Sequence, residues 1–262
     1  ESFRLLGLDY VYLCFDVNEE TLPAAVAGLK TCGIRGFNLT MPNKNKIVEL
    51  LDDLSPEAQL IGAVNTVLND NGKLIGYNTD GYGFMQSVRD AGHDITGKNI
   101  TVMGVGGASM AICAQSALDG AASVHIFARR TSRYWNRTQK FAENLSAKTG
   151  CQVCLFDNDD HTALRDSIAQ SYLLINATSV GMVPDIDDTI IKDTSLFHPE
   201  LVVADVVYEP QETRLLREAK AAGCQTFNGM YMLLHQGAKA FQIWTGQEMP
   251  VSVIKEKYFS VK

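Results

Sequence analysis

Two rhythms of apolar residues alternate along this chain: short runs that read as strands, and longer runs at helical spacing. Tyr10 to Val17, YVYLCFDV, reads as the first strand. Thr21 to Cys32 reads as a helix, with Pro23 in its first turn and Gly33 just past its end. Arg35 to Leu39 is a short strand. Lys44 to Leu54 carries Ile47, Val48, Leu50, Leu51 and Leu54 at helical intervals. Ala63 to Leu68 and Lys73 to Asn78 read as two strands joined by Asn69-Asp70-Asn71-Gly72, a hairpin signal. Gly81 to Ala91 is then helical.

A second α/β stretch opens at Gly97-Lys98. The pattern predicts strands at Asn99 to Met103, Val124 to Ala128, Gln152 to Phe156, Leu173 to Asn176, Leu201 to Val206 and Gln225 to Phe227. Helices are predicted over Ala108 to Asp119, Gln139 to Lys148, His161 to Ala169 and Leu215 to Ala222. Strands alternating with helices at this spacing imply parallel crossovers and a doubly wound sheet. Met232 to Thr245 is a last long helix, expected to return to the first unit. The expected architecture is therefore α/β, with two α/β domains around a cleft: residues 1–96 plus 236–262, and residues 97–235. The chain opens on a helix-like segment, Ser2 to Leu6, where such a domain ordinarily opens on a strand. An N-terminal strand is accordingly expected to lie outside this numbering.

Composition narrows the function classes. Of 262 residues, 46% are hydrophobic and 20% charged, enough to bury a core. A net charge of -7 repels nucleic acid and anionic membrane surfaces, so neither is expected as a partner. No apolar run approaches the roughly 20 residues that span a bilayer, and no signal peptide is visible, so a cytoplasmic location is expected. The six cysteines are too sparse for a disulfide scaffold and read as free thiols. Cys151 and Cys154 form a lone Cys-x-x-Cys without a second pair; they read as small buried hydrophobes in a strand. No metal-ligand constellation appears among the five histidines.

Candidate chemistry begins at the strand Ile100-Thr101-Val102-Met103, which runs into Gly104-Val105-Gly106-Gly107-Ala108-Ser109 and then a helix. Gly104 would permit a tight turn, and Gly106 would let backbone approach a pyrophosphate at the helix N-terminus. The third glycine of the usual dinucleotide fingerprint is Ser109 here, but the strand-turn-helix context supports a Rossmann-type sheet. The following strand ends in Ala128-Arg129-Arg130-Thr131-Ser132-Arg133, three arginines and no acid. An acid there would bind the ribose hydroxyls of NAD, whereas arginine suits the extra phosphate of NADP; NADP is preferred, with NAD left open.

In the first unit, polar residues collect at strand ends: Asn38-Leu-Thr-Met-Pro-Asn-Lys44, Gly62-Ala-Val-Asn-Thr66 and Gly76-Tyr-Asn-Thr-Asp-Gly81. Oxidation of an alcohol needs a group to take the hydroxyl proton, and a lysine held by a carboxylate can do so. Taken singly, Lys44 reads as a helix-start surface lysine and Asp80 as a helix N-cap. Together with the glycine turn, Asn176-Ala-Thr-Ser-Val-Gly-Met182, Asp205-Val-Val-Tyr-Glu-Pro210 and Gly229-Met-Tyr-Met-Leu-Leu-His-Gln-Gly237, the three stretches closely resemble the shikimate dehydrogenases, including the branch acting on quinate.

That resemblance implies roles for particular residues. Lys44 matches the general acid/base, and Asp80 its partner. Thr40, Asn65 and Gln236 match residues that hydrogen-bond the substrate's hydroxyls, with Tyr12 and Tyr208 as further substrate-side contacts. Gly104, Gly106, Gly107 and Ala108 match the pyrophosphate turn. Arg129, Thr131 and Arg133 fall near the NADP-binding loop, and Val206 and Gly229 line the nicotinamide end. The family also begins with a strand and a Ser-x-Ser motif that grips the substrate carboxylate; neither lies in these 262 residues. The implied activity is interconversion of shikimate and 3-dehydroshikimate, with quinate and 3-dehydroquinate as a second pair. A nucleotide-binding regulatory protein of the same fold, and a dehydrogenase of an amino-substituted ring acid, stand as alternatives. The partner implied is a small cyclic hydroxy acid, and a homodimer is left open.

Overall fold

Two sheets organise the chain, one in each of two units, and the structure, a computed structural model, describes residues 1–259. The first unit comprises Glu1–Gly83 and the chain from Leu234 onward; the second comprises Phe84–Leu233.

In the first unit the strands are β1 (Gly36–Asn38), β2 (Asp53–Leu54), β3 (Thr66–Asp70) and β4 (Lys73–Tyr77). They lie in the order β1-β3-β4-β2, antiparallel except for the parallel β4–β2 pair. The β3–β4 hairpin turns through Asn71 and Gly72, both at positive φ, as the Asn-Gly signal requires. Leu22, Val26, Ile47, Val64, Val67 and Leu74 form this unit's core. Burying each large aliphatic side chain contributes about 1.5–3 kcal/mol. The helix Met230–Thr245 closes the unit. Its Trp244 indole donates to the Val67 carbonyl (2.9 Å), while Arg35 donates to the Trp244 carbonyl (2.9 Å).

Two local expectations are corrected here, and one helix is added. Residues 10–17 do not form a strand. No ladder forms along them, and Val11, Leu13 and Phe15 are 81%, 65% and 64% exposed; β-prone side chains do not make a strand without a partner backbone. The helix expected over 44–54 is shorter, one turn at Asn43–Lys46 continuing as a 3₁₀ turn at Ile47–Leu50. Asp52 then draws the chain onto the sheet, its amide donating to the Leu74 carbonyl (2.9 Å) and its carboxylate accepting from the Leu74 amide (2.7 Å). An unanticipated helix, Pro56–Ile61, follows, capped by Ser55 and ended by left-handed Gly62.

The second unit holds β5 (Asn99–Met103), β6 (Ser123–Ala128), β7 (Gln152–Asp157), β8 (Leu173–Asn176), β9 (Val202–Asp205) and β10 (Gln225–Phe227). All pairings are parallel, in the order β10-β9-β8-β5-β6-β7. This is the doubly wound sheet expected, with its direction of winding reversing between β5 and β8, the position where such sheets bind ligands. Phe127, Ile168, Leu174, Val203 and Leu215 lie in its core. The helix expected from Gln139 starts earlier, at Trp135. No described helix is long and apolar enough to cross a membrane.

Candidate active site and dinucleotide site

Lys44 and Asp80, far apart in sequence, meet in the first unit. Lys44 stands in the turn after β1, where its own carbonyl accepts from the Val64 amide (2.8 Å); Asp80 begins the helix Asp80–Asp90 after β4. Lys44 Nζ lies 2.7 Å from Asp80 Oδ2. Asn65, buried just before β3, donates from its amide to Asp80 Oδ1 (2.8 Å) and Thr79 Oγ1 (3.0 Å). The Asn65 carbonyl oxygen accepts from the Thr79 amide (2.9 Å) and the Thr66 hydroxyl (2.9 Å). Both Asp80 oxygens are thus occupied by donors, and its carboxylate is aimed at the lysine. The two charged side chains retain 21% and 14% of their surface, so they are accessible to a ligand without being fully solvated. A lysine in this setting is held in position by a directed bond; as the amine it can take a proton from a hydroxyl placed against it, and as the ammonium it can return one.

Asn38 extends the constellation. Its amide donates to the Asn65 main-chain carbonyl (3.0 Å) and the Thr66 hydroxyl (3.0 Å), and its oxygen accepts from the Tyr12 hydroxyl (2.8 Å). Tyr12 therefore joins the Asn65 group through Asn38. Thr40 is exposed just ahead of Lys44, its hydroxyl donating to the Met41 carbonyl (3.3 Å). Gln236 is half-buried on the helix Met230–Thr245.

In the second unit a groove of about 1190 Å³ runs along the carboxyl ends of the strands. Gly104, Gly106, Gly107, Ala108, Arg129, Thr131, Arg133 and Val206 all line it, and so does Tyr208. Gly104 has φ +112, and a Cβ there would sit 2.7 Å from Thr178 Cγ2, so a side chain is excluded twice over. Gly106 and Gly107 open instead onto empty space. Gly106 caps the helix Gly107–Leu118 without any side-chain cap, leaving backbone donors and the positive dipole end facing the groove. Ser109, at the third-glycine position of the usual fingerprint, is buried and donates to the Gly104 carbonyl (2.6 Å), pinning the turn from inside.

Arg129 and Arg133 are exposed on the groove wall. Arg133 lies over the Tyr134 ring at 4.7 Å and donates to its hydroxyl (2.6 Å); Arg130 instead lies over the Trp135 ring at 4.7 Å. Gly229 does not line the groove. A Cβ at Gly229 would sit 2.1 Å from the Val206 carbonyl oxygen, so its bareness lets the chain pack against the groove-lining Val206 backbone. The donor set, phosphate-sized backbone cradle and basic wall suit a dinucleotide, which would lie with its pyrophosphate on the Gly106–Ala108 amides.

Family models match two stretches of the chain: a shikimate dehydrogenase substrate-binding domain over residues 1–67 and a shikimate 5'-dehydrogenase C-terminal domain over residues 229–257. The NADP(+)-dependent shikimate dehydrogenase of Listeria innocua is 51% identical over 99% of this chain and 89% of its own length. The chain belongs to the shikimate dehydrogenase family. A shikimate 5-dehydrogenase from Listeria monocytogenes, in complex with shikimate and NAD, superposes with a TM-score of 0.95 at 50% identity, covering 97% of this chain and 88% of that one. A quinate dehydrogenase from Corynebacterium glutamicum, in complex with NAD, reaches 0.86 at 31% identity over 99% and 92%.

As a shikimate dehydrogenase family member the chain carries more site residues than pattern reading picked out. Asn38, Thr66 and Thr79 complete the Asn65 hydrogen-bond set, and Thr178, Ser179, Val183 and Ile190 line the groove. The available signal was positional for Asn38, Thr79, Thr178 and Ser179, polar residues at or shortly after the end of an apolar strand; Thr66 opens a strand, and Val183 and Ile190 carry no such signal. Tyr208, expected beside the substrate, stands on the wall of the dinucleotide groove.

Proposed function

We propose that this chain is a shikimate dehydrogenase, an NADP- or NAD-dependent enzyme interconverting shikimate and 3-dehydroshikimate, with quinate and 3-dehydroquinate as the second substrate pair. The Lys44–Asp80 pair carries the reading, because a lysine held at 2.7 Å by a carboxylate, itself oriented by buried Asn65, is proton-transfer machinery. Relatives named for the same activity, and the groove with its glycine turn, support it.

In this reading residues 1–96 with 236–262 hold the ring acid and residues 97–235 hold the dinucleotide. When bound, the nicotinamide supplies or accepts the hydride at the ring carbon. Lys44 as the neutral amine takes the proton of the ring hydroxyl during oxidation, becoming the ammonium, and as the ammonium returns it during reduction. Asp80 orients the Lys44 ammonium and accepts from a second ring hydroxyl. Thr40, Asn65 and Gln236 bind the remaining hydroxyls, with Tyr12 and Tyr208 as flanking contacts. Arg129, Thr131 and Arg133 take the extra phosphate of NADP, which makes NADP the preferred cofactor. The enzyme works in the cytoplasm on a small cyclic hydroxy acid, and light scattering decides whether it does so as a homodimer.

The test is absorbance at the reduced-nicotinamide band with shikimate or quinate, each with NADP or NAD. Turnover that collapses in Lys44→Ala supports the assignment and ranks substrates and cofactors together. Cofactor binding without turnover in any combination overturns it in favour of a regulatory protein.

A further inference from the structure

The carboxylate of Asp205 is wholly buried at the end of β9, in register with Asn176 at the end of β8. Its Oδ1 accepts from the Asn176 amide (3.0 Å) and the Val207 main-chain N–H (2.9 Å), and its Oδ2 from the Thr213 hydroxyl (2.7 Å). The bracket continues outward. Asn176 donates to the Val180 carbonyl (3.1 Å), while its oxygen accepts from the Thr178 amide (3.1 Å) and hydroxyl (2.7 Å). The Thr178 hydroxyl in turn accepts from the Val180 amide (3.1 Å).

One carboxylate therefore ties together two segments, 177–180 and 206–208, and both line the dinucleotide groove. Asp205 itself is not on the groove surface, so any effect on a ligand passes through the backbone it holds. A buried carboxylate is a costly bracket, and burial pushes the Asp205 carboxyl above the ordinary range.

The sheet order says which half of a ligand this wall meets. In a doubly wound sheet the dinucleotide crosses the reversal point, one half over each set of strands. The adenosine half belongs with β5 to β7, where Arg129 and Arg133 stand; the other half falls over β8 and β9. We propose that Asp205 is a positioning residue that fixes the groove wall beneath the nicotinamide half of the cofactor. The proposal rests on the dinucleotide reading given above.

Calorimetric titration of the full chain separates the two halves. The probes are NADP, and adenosine 2′,5′-bisphosphate as the adenosine fragment. Asp205→Ala is expected to weaken NADP about tenfold while leaving fragment affinity within about twofold, and to lower kcat by about 10- to 100-fold, as small misplacements of a reacting group do. Asp205→Asn, which keeps one oxygen for Asn176 and Val207, should recover most of the loss. Thr213→Val, which keeps shape and removes the donor to Oδ2 together with the cap on the Leu216 amide, should move the same way as Asp205→Ala by a smaller factor and serves if Asp205→Ala does not fold. Equal weakening of NADP and fragment, or no change in either with Thr213→Val, overturns the proposal. A wild-type chain that binds neither probe would defeat the dinucleotide reading itself, which is a separate result.

Discussion

Asp80 receives Lys44 on one carboxylate oxygen, at 2.7 Å, and its other oxygen is already taken by Asn65. The lysine therefore has a fixed direction rather than a mobile surface arc. Lys44→Ala should lower kcat by about 10²–10⁴-fold, the usual worth of a positioned acid/base, with the thermal midpoint nearly unchanged. Asp80→Asn keeps an oxygen for Lys44 but loses the charge, and should cost less in kcat than Lys44→Ala. Steady-state kinetics with calorimetric melting checks both.

Gly104 has a backbone that L side chains resist and no room for a Cβ beside Thr178. Gly104→Ala should destabilise by at least about 1–2 kcal/mol from backbone strain alone. It should also raise KM for the dinucleotide while leaving KM for the ring acid nearly constant. Urea unfolding and a two-substrate kinetic grid measure the two effects.

Arg129 and Arg133 share the groove wall without an acidic neighbour from the same loop. A charge-assisted bond to phosphate is worth about 1.5–3 kcal/mol. Replacing both by Ala should cut kcat/KM for NADP by at least about tenfold and leave the NAD value within a few-fold, narrowing the ratio between them. Equal losses with both cofactors would remove these arginines from phosphate recognition.

Burial holds the imidazoles of His93, beside the Tyr172 hydroxyl at 2.8 Å, and His125, beside Ser167 at 2.9 Å, below their ordinary value near 6.5. Below that value the unfolded chain binds protons that the folded chain refuses, so stability must fall as pH drops through this region and level off above it. The urea midpoint at pH 5.5 should lie below that at pH 7.5, and His93→Gln with His125→Gln should flatten the difference.

Cys113 is fully enclosed, with its thiol pushed up to about 12 by burial, and Cys151 is raised to about 11 for the same reason; Cys14 and Cys32 are exposed. A thiol-specific chromogenic reagent at pH 7.5 should titrate Cys14 and Cys32 in the native protein and release the signal of Cys113 and Cys151 only on denaturation.

Much of the second unit was legible in the sequence because a parallel sheet buried on both faces writes itself as continuous apolar runs such as Ile100–Met103 and Leu173–Asn176. The glycine turn was legible for a related reason, as its backbone admits few other residues. The first unit was less so. Tyr10–Val17 has strand chemistry but no strand, since pairing depends on a neighbour that propensity does not encode. The early end of the 44–54 helix depends on one carboxylate, Asp52, reaching the Leu74 amide, a contact across the sheet. Side-chain networks were the least legible: the polar strand ends that hold Asn38 and Thr79 are visible in the sequence, but their bonds to Asn65 are not.

The indole of Trp244 reaches the carbonyl of Val67 across an interval that contains the whole second unit. During synthesis, therefore, the second unit emerges complete from the ribosome while the unit carrying Lys44 still waits for its last helix. Any product released early, by a stall or a premature stop between Leu233 and Trp244, would keep every residue that lines the groove and lack the indole that bonds β3 at Val67.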